Sequence, residues 1–262
     1  MKRRSVFAAI GSAVFLLLAG IGAEGGEVKV LSAVGMRQVM RDVGPMFERA
    51  TGHTLAIYYE SSGVIVPRVE AGETADVLML PRSGIDRLTK AGKVEAGTTT
   101  DLANAIVGMA VRKGAPKPDI STPDAFKRVL LAAKSIARAD PAQGGSSAVH
   151  IAKVAERLGI SNEVKAKSVI TFRAEDPLAS PGYAVANGRA EIALHQMQEL
   201  MSVPGIEIVG PLPSDFQQTF FFSAAIMAGA KEAEAGKALI KFLRAPAATA
   251  IIKAKGMEAA AP

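Results

Sequence analysis

The sequence predicts an α/β protein with mostly parallel sheets, and three observations carry that reading. Over 262 residues, 49% hydrophobic and 21% charged, the chain has the balance of a globular protein with a substantial core. From Val28 onward, short β-rich runs alternate with stretches of helical periodicity. Small polar residues gather where strands give way to helices, which is where open α/β sheets bind ligands. At this length one large domain, or two of about 100 to 150 residues, would fit.

Residues 1–23 stand apart. Lys2, Arg3 and Arg4 precede an uncharged apolar run from Val6 to about Ala23, with Gly20, Gly22 and Ala23 as a cleavage region, which predicts a secretory signal. An uncleaved anchor is the alternative, since the run approaches the lower limit of about 17 residues for a spanning helix. The segment carries three positive charges and no acid, so its removal lowers the formal charge from +6 to +3. The basicity is largely a targeting device, and no nucleic-acid partner is expected.

The elements follow in order. VKVLSA (28–33) predicts a first strand; Val39, Val43, Phe47 and Ala50 then recur at helical spacing, with Gly44 and Pro45 placed to kink the helix and Gly52 to stop it. LAIYYES (55–61) is a second strand, Val64 to Ala71 a short helix and ADVLML (75–80) a third strand. NAIVGMAVRKG (104–114) reads as one long strand, and a Pro-rich connection leads into a helix over Pro123 to Ala133. SIARAD (135–140), a helix from Ala148 to Leu158, VITF (169–172), a helix from Pro177 to Ala186 and EIALHQ (191–196) form a second unit. TFFFSAAIMAG (219–229) is another long β run before a terminal helical segment, Ala233 to Ala254, interrupted near Pro246. The two long strands bracket the second unit, as they would if the chain crossed into another lobe and returned; one continuous sheet is the alternative.

Several chemistries lack their residues. The chain has no cysteine, and its three histidines, His53, His150 and His195, form neither HExxH nor HxxxH, so no metal site is expected. GxSxG and GxGxxG are absent, and GAKEAEAGKAL lacks the spacing of a phosphate-binding loop, so no cofactor is expected. Ser61 or Ser147 with His150 or His195 and Asp140 or Asp176 could be assembled on paper into a hydrolase triad, but the expectation is a protein that is not an enzyme.

The polar residues at strand ends point to an anion instead. Ser32 ends the first strand, Ser61-Ser62-Gly63 the second, and Asp140 to Ser147, including Gly144, Gly145 and Ser146, follows SIARAD; Asp176-Pro177-Leu178 opens one more helix. Glycine permits close backbone approach, serine supplies a hydroxyl, and exposed N–H groups at helix starts favour negative charge. Each such loop is also explained by plain capping.

VKVLSA, FERATG, SSG, GETADVLML, ARADP, GGSSAVHIAKVAERLGI and NGRAEIAL, in this order, resemble the periplasmic molybdate-binding protein family of ABC importers over most of the chain. The resemblance implies a type II periplasmic binding fold, two α/β lobes joined by two crossing strands. Lobe I would be residues 27–107 with 218–262, and lobe II residues 108–217. It further implies a monomer that closes by hinge motion on molybdate or tungstate and presents it to the membrane permease of an importer. The family's ligand positions fall on Ser32 and Ser62, with Ser61 adjacent, and its amide donors fall near Ser147 and Leu178. Ser146-Ser147-Ala148 replaces the family's PAG, and Gln196, with His195 beside it, stands where the family carries a tyrosine. Arg82, Arg138 and Arg173 each follow or lie in a strand end; a guanidinium pointing inward would suit an organic di- or tricarboxylate.

Overall fold

The computed structural model describes residues 25–171 and 179–261; the expected signal segment, Arg173, Asp176 and Leu178 lie outside the described residues. The chain opens with β1 (Glu27–Ala33), α1 (Arg37–Thr51), β2 (Thr54–Glu60), α2 (Ser62–Glu70), β3 (Val77–Pro81) and α3 (Arg82–Lys90). After β4 (Thr100–Ala105) come β5 (Val107–Arg112), α4 (Pro123–Ala132), β6 (Ile136–Arg138), α5 (Ser146–Arg157), α6 (Ser161–Ala166) and β7 (Ser168–Ile170). α7 (Pro181–Ala186), β8 (Ile192–Gln196), α8 (Met197–Met201) and β9 (Ile206–Pro211) follow, and β10 (Phe220–Ile226), α9 (Ala233–Leu243), α10 (Pro246–Ala254) and β11 (Glu258–Ala259) close the chain.

Local chemistry explains these boundaries. In α1, Val39, Met40, Val43 and Phe47 form one buried face. Gly52, at φ 78°, ends the helix by donating its N–H to Glu48 O in a conformation that favours glycine. The helix runs through Pro45 as one element. Thr122 caps α4, its Oγ1 accepting from Ala125 N at 3.2 Å, with Pro123 pre-set at the first helical position. Pro246 likewise occupies the start of α10, without a side-chain cap before it, and separates α10 from α9.

Two sheets divide these strands, giving two α/β lobes. A six-stranded sheet has the order β11-β4-β10-β3-β1-β2, and a five-stranded sheet β7-β6-β8-β5-β9. Two features correct the sequence reading. The run over 104–114 is not one strand: it breaks at Ile106, with β4 in one sheet and β5 in the other. The sheets are also mixed rather than mostly parallel. β1 is parallel to β2 and β3, and β6 to β7 and β8, but β10 is antiparallel to β3 and β4, and β5 to β8 and β9. Strands joined by crossover helices must run the same way, whereas those carrying the chain between lobes enter against them.

The two crossing segments are tied by one side chain. Val107 N donates to Gln217 Oε1 at 3.1 Å and Gln217 Nε2 donates to Val107 O at 2.9 Å, so the amide imitates a peptide group across the junction. Phe47, Phe126 and Phe222 are wholly buried in the main core. A smaller cluster of Ala110, Ala137, Ala184, Val185, Ala190, Ala193 and Leu200 lets α7 approach the second sheet closely.

Candidate functional site

The carboxyl ends of the parallel strands in both sheets face one interlobe cleft of about 450 Å³, including its mouth. One wall comes from the six-stranded lobe: Ala33, Val34 and Gly35 after β1, Ser61 and Ser62 after β2, Pro81 after β3, and Phe222 of β10. The other comes from the five-stranded lobe: Ala139, Asp140, Gln143 and Gly145 to Ala148 after β6, and His195, Gln196 and Glu199 at the end of β8.

Three helices of two turns or more begin in these walls, and none has a side-chain cap. The N-cap residues of α2, α3 and α5 are Ser61, Pro81 and Gly145. The first N–H groups of a helix have no intrahelical acceptor, so these helices offer unpaired donors and positive dipole ends to the cleft. Ser61 is a residue type that ordinarily caps, yet its hydroxyl reaches across and donates to Gln143 O at 2.9 Å.

The lobes touch at this bond and beside it. A Cβ on Gly63 would lie 2.4 Å from Gln143 O and 2.6 Å from Gly144 Cα, and Gly144 has φ +68°. Both glycines are required by that approach. Gln198 Nε2 also donates across the cleft, to Gly35 O at 3.4 Å.

His195 is 3% exposed and stands between two polar groups. Its Nε2 lies 3.1 Å from Glu199 Oε2, and its Nδ1 lies 3.4 Å from Ser147 Oγ. An ionised carboxylate only accepts, which assigns the proton to Nε2 and makes Nδ1 the acceptor of the Ser147 hydroxyl. Sheet pairing creates the arrangement: Ile136 and Ala137 of β6 lie opposite Ile192 and Ala193 of β8, so the first turn of α5 stands over the end of β8. Beside His195, Gln196 Oε1 accepts from Gln198 Nε2 at 2.5 Å, which leaves the Gln196 amide nitrogen as the donating group. Asp140 Oδ1 is held by Ala142 N at 2.9 Å. Among the described lining residues there is no lysine or arginine.

The residues singled out in the sequence divide accordingly. Ser61, Ser62, Ser146, Ser147, His195 and Gln196 line the cleft. Ser32 does not; it is fully buried and its hydroxyl donates to Ala33 O at 3.1 Å. Arg82 lies in an adjoining wider groove, where Asp86 at 2.9 Å and Asp101 at 2.8 Å hold it and favour its charged form. Arg138 donates from Nε to Ser168 Oγ at 2.7 Å and is absent from the cleft lining; burial pushes its pKa below the usual value, against the influence of Asp140. Gln143 falls within the Asp140 to Ser147 loop already singled out, whereas Gly35 and Glu199 were not found by sequence reasoning. Only Glu199 left a signal, its position four residues beyond a strand-end histidine. Among the described residues, no group of three or more His, Cys, Asp or Glu side chains is placed to hold a metal ion.

Known proteins match this chain over most of its length. A protein 35% identical over 235 residues, spanning 87% of this chain and 86% of its own length, is the aconitate isomerase of a Pseudomonas species. The molybdate-binding protein ModA of Azotobacter vinelandii is 28% identical over 91% of this chain and 92% of its own. The solved structure of an Azotobacter vinelandii periplasmic molybdate-binding protein superposes with a TM-score of 0.70 at 19% identity, covering 90% of this chain and 99% of that one.

The first relative overturns one expectation. The sequence motifs lead to the expectation of a protein that is not an enzyme, yet a relative 35% identical over 87% of this chain is named aconitate isomerase. The missing motifs exclude only the chemistries they mark. The model of the family described as bacterial extracellular solute-binding protein matches residues 28–258, and the chain belongs to that family.

Proposed function

We propose that the cleft takes a small organic polycarboxylate and that the protein interconverts the cis and trans isomers of aconitate. The observation that carries this reading is the 35% identity to aconitate isomerase over 87% of the chain. The cleft suits such a ligand: the uncapped starts of α2, α3 and α5 supply neutral donors from both lobes, and each charge-assisted hydrogen bond contributes about 1.5–3 kcal/mol before desolvation is subtracted. The amides of Ser62, Gly63, Ser146 and Ser147, the hydroxyls of Ser62 and Ser146, and the Gln196 amide nitrogen are the proposed carboxylate contacts. A tetrahedral oxyanion such as molybdate or tungstate would use the same donors, but it has no proton to move and leaves the His195–Glu199 pair without a task.

Isomerising a double bond conjugated to carboxylates needs no redox partner. A proton leaves the methylene carbon, the electron pair spreads over the allylic system and its carboxylates, and a proton returns to the other end of that system. Donors already aimed at the carboxylates stabilise the charge that develops. Export by residues 1–23 places this reaction in the periplasm, carried out by a monomer whose closed lobes also present a surface to an importer's permease.

The test is to add pure cis- or trans-aconitate to the purified protein, follow the mixture by proton NMR, and run a thermal-shift panel that includes molybdate, tungstate, sulfate and other di- and tricarboxylates. Both aconitates are expected to interconvert and to raise the melting temperature, by a stability increment of about 2.7 kcal/mol at a hundredfold excess over Kd. Stabilisation by molybdate and tungstate alone, without isomerisation, would overturn the reading.

A further inference from the structure

We propose that Ser147, His195 and Glu199 form the proton-transfer chain of the cleft, with Ser147 Oγ as the atom that meets the substrate carbon; this rests on the isomerase reading above. All three line the cleft, and Ser147 and His195 are 4% and 3% exposed. Glu199 Oε2 at 3.1 Å from Nε2 holds the imidazole in one tautomer and opposes the positive charge it gains on taking a second proton. Ser147 lies in the first turn of α5, so the positive end of that helix favours an oxygen developing negative charge. The 3.4 Å from Ser147 Oγ to Nδ1 is long for a hydrogen bond, and ligand-induced tightening is the ordinary behaviour of catalytic contacts.

The step balances within the cleft. The methylene C–H bond breaks and its proton goes to Ser147 Oγ as the serine O–H proton passes to His195 Nδ1. The electron pair of the C–H bond enters the carboxylate-conjugated allylic system. The imidazolium, facing Glu199, then returns its proton through Ser147 to the opposite allylic carbon, and the double bond shifts. The donors from the six-stranded lobe hold the carboxylates while this happens.

The experiment compares the wild type with His195→Gln, Ser147→Ala and Glu199→Gln. It measures kcat and KM for trans-aconitate, calorimetric binding, and deuterium uptake into the substrate methylene in D2O. His195→Gln is expected to lower kcat and deuterium uptake together by about 100-fold or more while binding changes by less than about threefold. Ser147→Ala should follow it, and Glu199→Gln should lose about tenfold, since it keeps an acceptor for Nε2 and loses the charge. A wild type that binds aconitate without isomerising it overturns the isomerase reading and this proposal together. A wild type that isomerises, with His195→Gln retaining kcat and deuterium uptake, overturns this proposal and leaves that reading standing. If His195→Gln loses binding as well, Ser147→Ala decides: retained turnover overturns the proposal, and lost turnover with intact binding supports it.

Discussion

The two walls of the cleft are built on the same plan, strand ends feeding uncapped helices, yet they differ in chemistry. Among the described residues, the wall of the six-stranded lobe holds no titratable side chain: Ala33, Val34, Gly35, Ser61, Ser62, Pro81 and Phe222 offer backbone, hydroxyl and apolar surface. The opposite wall carries Asp140, His195 and Glu199. Neutral donors suffice to hold an anion, whereas moving a proton needs groups that change charge. The difference teaches that, on the proposed reading, both lobes contribute neutral donors to the ligand while only one also carries the groups that move a proton, provided the lobes close accurately.

Closure is therefore where the comparison is most easily broken. Gly63→Val puts a side chain where a Cβ already lies 2.4 Å from Gln143 O, so the walls cannot meet. Binding of trans-aconitate should weaken by about 100-fold, equal to about 2.7 kcal/mol, while the lobes themselves stay folded; calorimetry and the radius of gyration from small-angle scattering check both. Gln217→Ala should come next. It removes both side-chain bonds to Val107, whose carbonyl keeps only the Leu212 N–H at 3.2 Å, so unfolding stability should fall by about 1–3 kcal/mol in urea titration, and the spread of interlobe distances should widen.

Asp140→Asn sharpens the contrast between the walls, because asparagine retains the cap on Ala142 N and removes a negative charge that faces the ligand. Binding of an anionic ligand should tighten by a factor of about 2 to 10, more at low than at high salt, as titration calorimetry at two ionic strengths would show. The smallest effect concerns His150, buried on α5 with Nε2 donating to Phe216 O at 2.7 Å. Burial holds its pKa below 6.5, and Arg157 and Lys153 act in the same direction. Above that value the histidine is neutral in both states and contributes no pH dependence. As pH falls through it, the unfolded chain takes up a proton that the folded chain resists, so stability is lost. His150→Gln should flatten that part of the stability profile in melts between pH 7 and pH 5.

Much of this was legible because it is local. The buried face of α1, the stop at Gly52 and the start at Pro246 are each written within a few residues, and so is the α/β alternation. The strand-end rule also brought attention to Ser61, Ser62, Ser146, Ser147 and Gln196, which do line one cleft. The structure separates residues that the sequence groups together. Ser32 and Ser61 look alike in sequence, but Ser32 satisfies its hydroxyl on Ala33 O while Ser61 reaches Gln143, 82 positions away. Arg82 is held by Asp101, which also accepts from Ser223 at 2.6 Å. The break at Ile106 follows from the two sheets that β4 and β5 join, and nothing in the run NAIVGMAVRKG records it.

By itself, then, the sequence determined the element types, the class of fold and the character of the loops, because propensity, capping and periodicity act over a few residues. Only the tertiary structure decided which loops face each other. The parallel pairing of β6 with β8 sets Ser147 beside His195, 48 positions away, and lobe closure sets Gly63 against Gly144. Hydrogen bonding and close packing act over a few ångströms, and chain separation does not predict which groups come within that range.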